Sequence, residues 1–141
     1  MARVEIILPE SFSFETDVEI QITQINLAKH LGNHDLVGIL NEARTRYFHS
    51  INYQETTGRG LINADLAVVY KSEAKYGETL KIKIATSDFQ KYGCDFVYRV
   101  SDKATGRLVA EAKTAMLMFD YETGKLAEVS AGFRDIFMAG Q

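Results

Sequence analysis

Residues 14–48 read FETDVEIQITQINLAKHLGNHDLVGILNEARTRYF, and the hydrophobic period changes partway along. From Phe14 to Ile25, apolar Val18, Ile20 and Ile22 alternate with polar Asp17, Glu19, Gln21 and Thr23. A period of two marks a half-buried strand, because successive side chains leave opposite faces of the pleat. Beyond it, Leu36, Val37, Ile39, Leu40, Ala43, Tyr47, Phe48 and Ile51 recur at helical spacing. Asn41, Glu42, Arg44, Thr45 and Arg46 fall between them, so the pattern predicts one long amphipathic helix. Asn33 suits the N-cap, and Asp35 the first turn, where a negative charge opposes unpaired N–H groups. His49 falls near the helix end, where a cation complements the dipole.

Downstream the alternation returns. The segments LINADLAVVY (61–70), ETLKIKIAT (78–86), CDFVYRVSD (94–102), RLVAEAKTAMLMFD (107–120) and KLAEV (125–129) read as successive strands. Phe96, Tyr98 and Val100 share one face. Gly58 and Gly60 fall in a loop after the helix, DKATG and YETG are turns, and SAGFRDIF (130–137) suggests a short terminal helix capped by Ser130. Turn signals between alternating runs predict antiparallel pairing. One long helix beside a mostly antiparallel sheet is an α+β architecture.

The chain of 141 residues, 46% hydrophobic and 25% charged, fits a single globular domain over 1–141. A net charge of −3 with scattered basic residues offers no nucleic-acid footprint. The longest apolar runs, VEIILP and TAMLMF, are too short to span a bilayer, and the N-terminus lacks a signal-peptide core. The single cysteine, Cys94, cannot form an intrachain disulfide, so a cytoplasmic, reducing location is expected. It begins a strand without a partner histidine nearby and reads as a packing residue rather than a nucleophile. The histidines and acids match no metal spacing, so no metal is expected.

The order of segments resembles a known family. A first strand, INLAKHLGN, a helix containing Glu42-Ala43-Arg44, then Tyr76-Gly77-Glu78-Thr79-Leu80 and a hairpin from Asp102 to Ala112 are similar to the hotdog-fold acyl-CoA thioesterases. Within these the 4-hydroxybenzoyl-CoA thioesterase-like branch is the nearest in pattern. The match runs from about Phe14 to Asp120; its motifs are individually weak but consistent in order and spacing. The resemblance implies a sheet wrapped around one central helix, sheets joined in a homodimer or dimer of dimers, and active sites at the subunit interface. It also implies hydrolysis of an acyl-CoA or acyl-carrier-protein thioester to a carboxylic acid and a free thiol, with no cofactor.

Thioester hydrolysis needs donors to polarise the carbonyl and a group to activate water. The first turn of a helix offers unpaired N–H groups, here those of Asn33 and His34, just after Gly32, where a bare backbone admits close approach. Many members of the resembled branch carry an aspartate about four residues before the position matching His30. This chain has Asn26 there, which can position water or substrate but cannot act as a base. The base candidates are therefore His34, Asp35 and Glu42, the last at the spacing of the catalytic carboxylate in another hotdog branch. His30 is expected to bond Asn26 or the substrate. Asn63, Asp65 and Tyr70 are candidates for the acyl pocket or the interface. Lys71, Lys75 and Lys91, at strand ends, are candidates for the coenzyme or carrier arm. Two other readings stay open: a hotdog module that binds acyl thioesters or a protein partner without turnover, and, matched less well, a hotdog dehydratase.

Overall fold

The structure, a computed structural model, describes residues 1–55 and 58–138. Strand β1 (Phe14–Glu19) is followed by a 3-10 turn (Ile22–Gln24) and helix α1 (Asn33–Ser50). Then come β2 (Arg59–Tyr70), β3 (Thr79–Gln90), β4 (Gly93–Asp102), β5 (Leu108–Asp120), the short β6 (Lys125–Leu126) and α2 (Phe133–Met138). The strands form one antiparallel sheet in the order β1-β3-β4-β5-β2, with β6 added to β5. The α+β architecture follows the hydrophobic periods.

The long helix packs against the sheet through Leu36, Ile39, Leu40, Ala43 and Tyr47, all nearly inaccessible to solvent. Facing residues come from alternate positions of the central strands. Ile82 pairs with Val100, Ile84 with Tyr98, and Tyr98 in turn with Ala112, so one register row after another delivers an apolar side chain to the core. Phe133 and Phe137 of α2 close one end of this core. Phe137 sits edge-on to Tyr47 at a centroid distance of 6.0 Å and to Phe96 at 5.4 Å. Tyr47 also donates its hydroxyl hydrogen to the Phe137 carbonyl at 2.8 Å, which holds α2 to α1.

Several local expectations are corrected. The first strand stops at Glu19 rather than Ile25, because its partner β3 begins at Thr79 and the pairing ends there. Gln24 Oε1 then accepts the Gln21 N–H at 2.7 Å and bends the chain, leaving Ile22 exposed. Gly60 lies inside β2, not in a loop. The helix is capped by Gly32, in extended conformation, and Asn33 is its first helical residue. The Ser130 backbone carbonyl accepts the Phe133 N–H at 3.1 Å at the entry to α2.

The largest departure concerns Arg44, placed by periodicity on the polar face. It is buried, with 8% of its surface exposed. Its guanidinium donates to the Tyr98 hydroxyl at 3.0 Å and to Asn41 Oδ1 at 2.9 Å. Tyr98 Oη shares a further hydrogen bond of 2.8 Å with Thr114 Oγ1. A buried cation is tolerated only where such partners replace water.

Candidate active site

Two backbone bonds fix the start of α1. The Leu31 N–H donates to the Ala74 carbonyl at 2.8 Å, and the Gly32 N–H donates to the Gln24 carbonyl at 3.0 Å. The first helical bond, Leu36 N–H to the Gly32 carbonyl, is 3.1 Å. Asn33, His34 and Asp35 lie between, and their N–H groups meet no acceptor among the described residues. Since Gly32 has no side chain to cap them, these donors are open to water or a ligand. Tyr70, at the end of β2, donates its hydroxyl hydrogen to the Asn33 carbonyl at 2.9 Å and so ties the helix start to the sheet. Burial pushes the Tyr70 phenol above its ordinary value, keeping this donor protonated.

Asn26 builds the loop that enters the helix. Its Oδ1 accepts the N–H groups of Ala28 at 3.0 Å and His30 at 3.3 Å, and its own N–H donates to the His30 carbonyl at 3.0 Å. Lys29 adopts the left-handed conformation (φ 67°) that closes this turn. His30 is thereby turned toward the segment after β2, with Nδ1 at 3.3 Å from the Leu31 carbonyl and Nε2 at 3.6 Å from Glu73 Oε1.

These elements enclose a cleft of about 430 Å³, a size typical of small-ligand sites. Leu31, Leu36, Ala74 and Val109 give it an apolar wall, and Asn26, His30, Asn33, Tyr70, Lys71 and Glu73 bring polar groups to it. Arg107 braces the far side: its guanidinium donates to the Glu73 carbonyl at 3.0 Å and to Glu78 Oε2 at 2.8 Å.

The cleft thus gathers Asn26, His30, Gly32, Asn33, Tyr70 and Lys71 of the sequence candidates, and leaves others outside. The His34 ring is exposed, 3.5 Å from the Asp35 carboxylate, which folds back against Gly32; neither side chain lines the cleft. Glu42 lies in a separate groove beside β1, where its carboxylate accepts from Arg46 Nε at 2.8 Å. Asp65 lies at a bulge in β2, where Lys113 Nζ at 2.8 Å and the Ala115 N–H hold its carboxyl below the usual range. Asn63 is exposed at the same bulge. Lys75 is exposed, its backbone N–H bonded to Glu78, and Lys91 pairs with Glu128 at 3.0 Å. The Cys94 thiol is pushed up to about 12, chiefly by burial and then by Asp95 and Asp88, which leaves it unreactive as a nucleophile. Glu73 carries no signal in the sequence: an isolated acid in a connection looks like a solvated one, and the Leu31–Ala74 bond brings it beside His30.

A long helix wrapped by an antiparallel sheet, with a cleft at the helix start, defines the hotdog fold. The chain belongs to the thioesterase-like superfamily, whose family model matches residues 20–137. This is the wider family that the sequence motifs resemble. Solved structures agree in fold. A 1,4-dihydroxy-2-naphthoyl-CoA thioesterase from Synechocystis superposes with a TM-score of 0.83 at 14% identity, covering 89% of this chain and 96% of that one. A mutant 4-hydroxybenzoyl-CoA thioesterase complexed with 4-hydroxybenzoyl-CoA gives 0.81 at 17% identity, covering 90% and 99%. A hypothetical protein from Staphylococcus aureus in complex with CoA gives 0.81 at 12% identity, covering 97% and 90%. No curated protein matches the chain in sequence. Among the described residues no helix is long and apolar enough to cross a membrane.

Proposed function

We propose that this protein is an acyl-CoA thioesterase and that hydrolysis takes place in the cleft at the start of α1. The observation that carries this reading is the pair of unpartnered N–H groups at Asn33 and His34, the first of these residues lining a cleft with an apolar wall. The acyl chain lies against Leu31, Leu36 and Val109, and the thioester oxygen points at the two N–H groups. As water attacks, negative charge grows on that oxygen, and donors already in place need no reorganisation. Asn26 positions: its Oδ1 is committed to the loop, so its part is to hold His30 and the helix start. Lys71, and at greater distance Lys75, supply positive charge for the phosphates of the coenzyme or carrier arm.

Strand β2 supports assembly of two copies. It is a 12-residue edge strand whose middle is solvent-facing, with Leu66 46% exposed, and such edges are usually paired or protected. The proposed assembly is a homodimer or dimer of dimers, read out as mass by light scattering. The unpaired, buried Cys94 supports a reducing, cytoplasmic setting.

Thiol release from short, long and aromatic acyl-CoA thioesters tests the activity. Saturable release from at least one class is expected. Measurable binding without release from any of them would favour the non-catalytic module instead.

A further inference from the structure

The cleft holds four ionisable side chains: His30, Tyr70, Lys71 and Glu73. We propose that His30 is the base that activates the hydrolytic water, and that Glu73 is the positioning residue that holds the imidazolium formed. The proposal rests on the thioesterase reading and deepens it.

Tyr70 is committed as a donor to the Asn33 carbonyl, and Lys71 Nζ leans to Glu111 at 3.7 Å. His30 is differently placed. A carbonyl can only accept, so a ring hydrogen on Nδ1 suits the 3.3 Å contact with the Leu31 oxygen, and in the neutral ring with that hydrogen the lone pair is on Nε2. Nε2 stands 3.6 Å from Glu73 Oε1. That separation is too long for a direct hydrogen bond and suits a charge pair once Nε2 has taken a proton. Imidazole is the side chain most often used as a general base in enzymes.

Both partners are held through their backbones. His30 is fixed by its N–H to Asn26 Oδ1 and by its carbonyl, which accepts the Asn26 N–H. Glu73 is fixed by Arg107, and the bond between Leu31 N–H and the Ala74 carbonyl stitches the two loops together one residue beyond each partner. The juxtaposition therefore does not depend on the weak pairing of a partly buried histidine with a largely exposed glutamate.

In the reaction, the water oxygen bonds to the thioester carbon while its proton passes to Nε2. The oxyanion sits on the N–H groups of Asn33 and His34. Collapse of the tetrahedral intermediate breaks the C–S bond, and the departing thiolate takes the proton back from the imidazolium. One water is consumed, and one acid and one thiol are released, with His30 returned to its neutral form.

The test compares kcat and KM for thiol release in wild type, H30A, H30Q, E73Q, E73D and the double variant H30A/E73Q, each checked for unchanged urea unfolding. An inactive wild type would refute the thioesterase reading itself. With an active wild type, H30A and H30Q are expected to lower kcat by about 100-fold or more, with KM within about three-fold. Added imidazole should restore part of the H30A rate, which a structural role would not allow. E73Q is expected to lower kcat by about five-fold, as for a partly exposed ion pair, to be partly rescued in E73D, and to lose nothing further in the H30A background. Wild-type kcat in folded H30A, loss without imidazole rescue, or full additivity of the two substitutions would overturn the proposal.

Discussion

The free N–H of Asn33 can be removed with little disturbance to the fold, because Asn33 is the first residue of α1. Proline is favoured at that position, where its missing N–H would have had no helical partner. The preceding Gly32 already has φ −64° and ψ 145°, the extended conformation a residue before proline requires. Asn33→Pro should therefore leave the helix intact while deleting one carbonyl-polarising donor. Asn33→Ala is the matched control: it also lacks the asparagine side chain but keeps the N–H. Loss of one such donor typically raises the barrier by about 2.7–4 kcal/mol, or roughly 100- to 1,000-fold in kcat. Neither exposed substitution should change stability by more than about 0.5 kcal/mol. Initial rates of thiol release over a range of acyl-CoA concentrations separate kcat from KM. The expected result is a kcat for Asn33→Pro about two orders of magnitude below that of Asn33→Ala, with both proteins unfolding at the same urea concentration. Equal rates for the two folded variants would refute the assignment of this N–H.

Other outcomes can be stated from the same geometry. Asn26→Ala loses two acceptor bonds in the loop that carries His30 and should cost about 1–2 kcal/mol in urea unfolding; Asn26→Asp, which keeps an oxygen in place, should lose much less, and a reversed order would contradict the loop role. Tyr98→Phe leaves the buried Arg44 and Thr114 groups short of a partner and should cost about 2–3 kcal/mol, measured by the same denaturation. Glu42→Ala, remote from the cleft, should leave kcat unchanged and shift stability by no more than about 0.5 kcal/mol through the lost pair with Arg46. For alkaline pH the sign follows from Cys94, raised from 9.0 to about 12, and Tyr53, raised from 10.0 to about 12: an acid whose folded value is raised stabilises fully below its unfolded value, and that contribution disappears as pH rises toward 12. Urea midpoints should therefore fall between about pH 9 and 12, and less steeply in Cys94→Ala.

Much of the fold is legible in local periodicity. The apolar stripe of α1 and the alternation through Leu80, Ile82 and Ile84 recur as the buried faces of the folded chain. What periodicity missed depends on partners far away along the chain. The end of β1 is set by where β3 begins, sixty residues later. Arg44 looks like a surface residue because its partners, Tyr98 and Thr114, belong to strands it meets only after folding. The proposed site divides in the same way. Gly32, Asn33 and the loop from Asn26 to His30 are contiguous and could be named in advance. Glu73 could not, since its neighbourhood is created by non-local bonds, from Leu31 to Ala74 and from Arg107 to Glu73. His34, Asp35 and Glu42 have the chemistry of a base, but sequence alone does not place them: the His34 and Asp35 side chains lie off the lining of the cleft, and Glu42, paired with Arg46, faces another groove.

A crystal structure with an acyl-CoA analogue in which the thioester sulfur is replaced by methylene would test the proposed site most directly, because the carbonyl is kept while hydrolysis is blocked. The expected result is a carbonyl oxygen within about 2.7–3.1 Å of the backbone nitrogens of Asn33 and His34, with the acyl chain against Leu31, Leu36 and Val109. A carbonyl seated elsewhere, for instance in the groove beside Glu42 and Arg46, would contradict it.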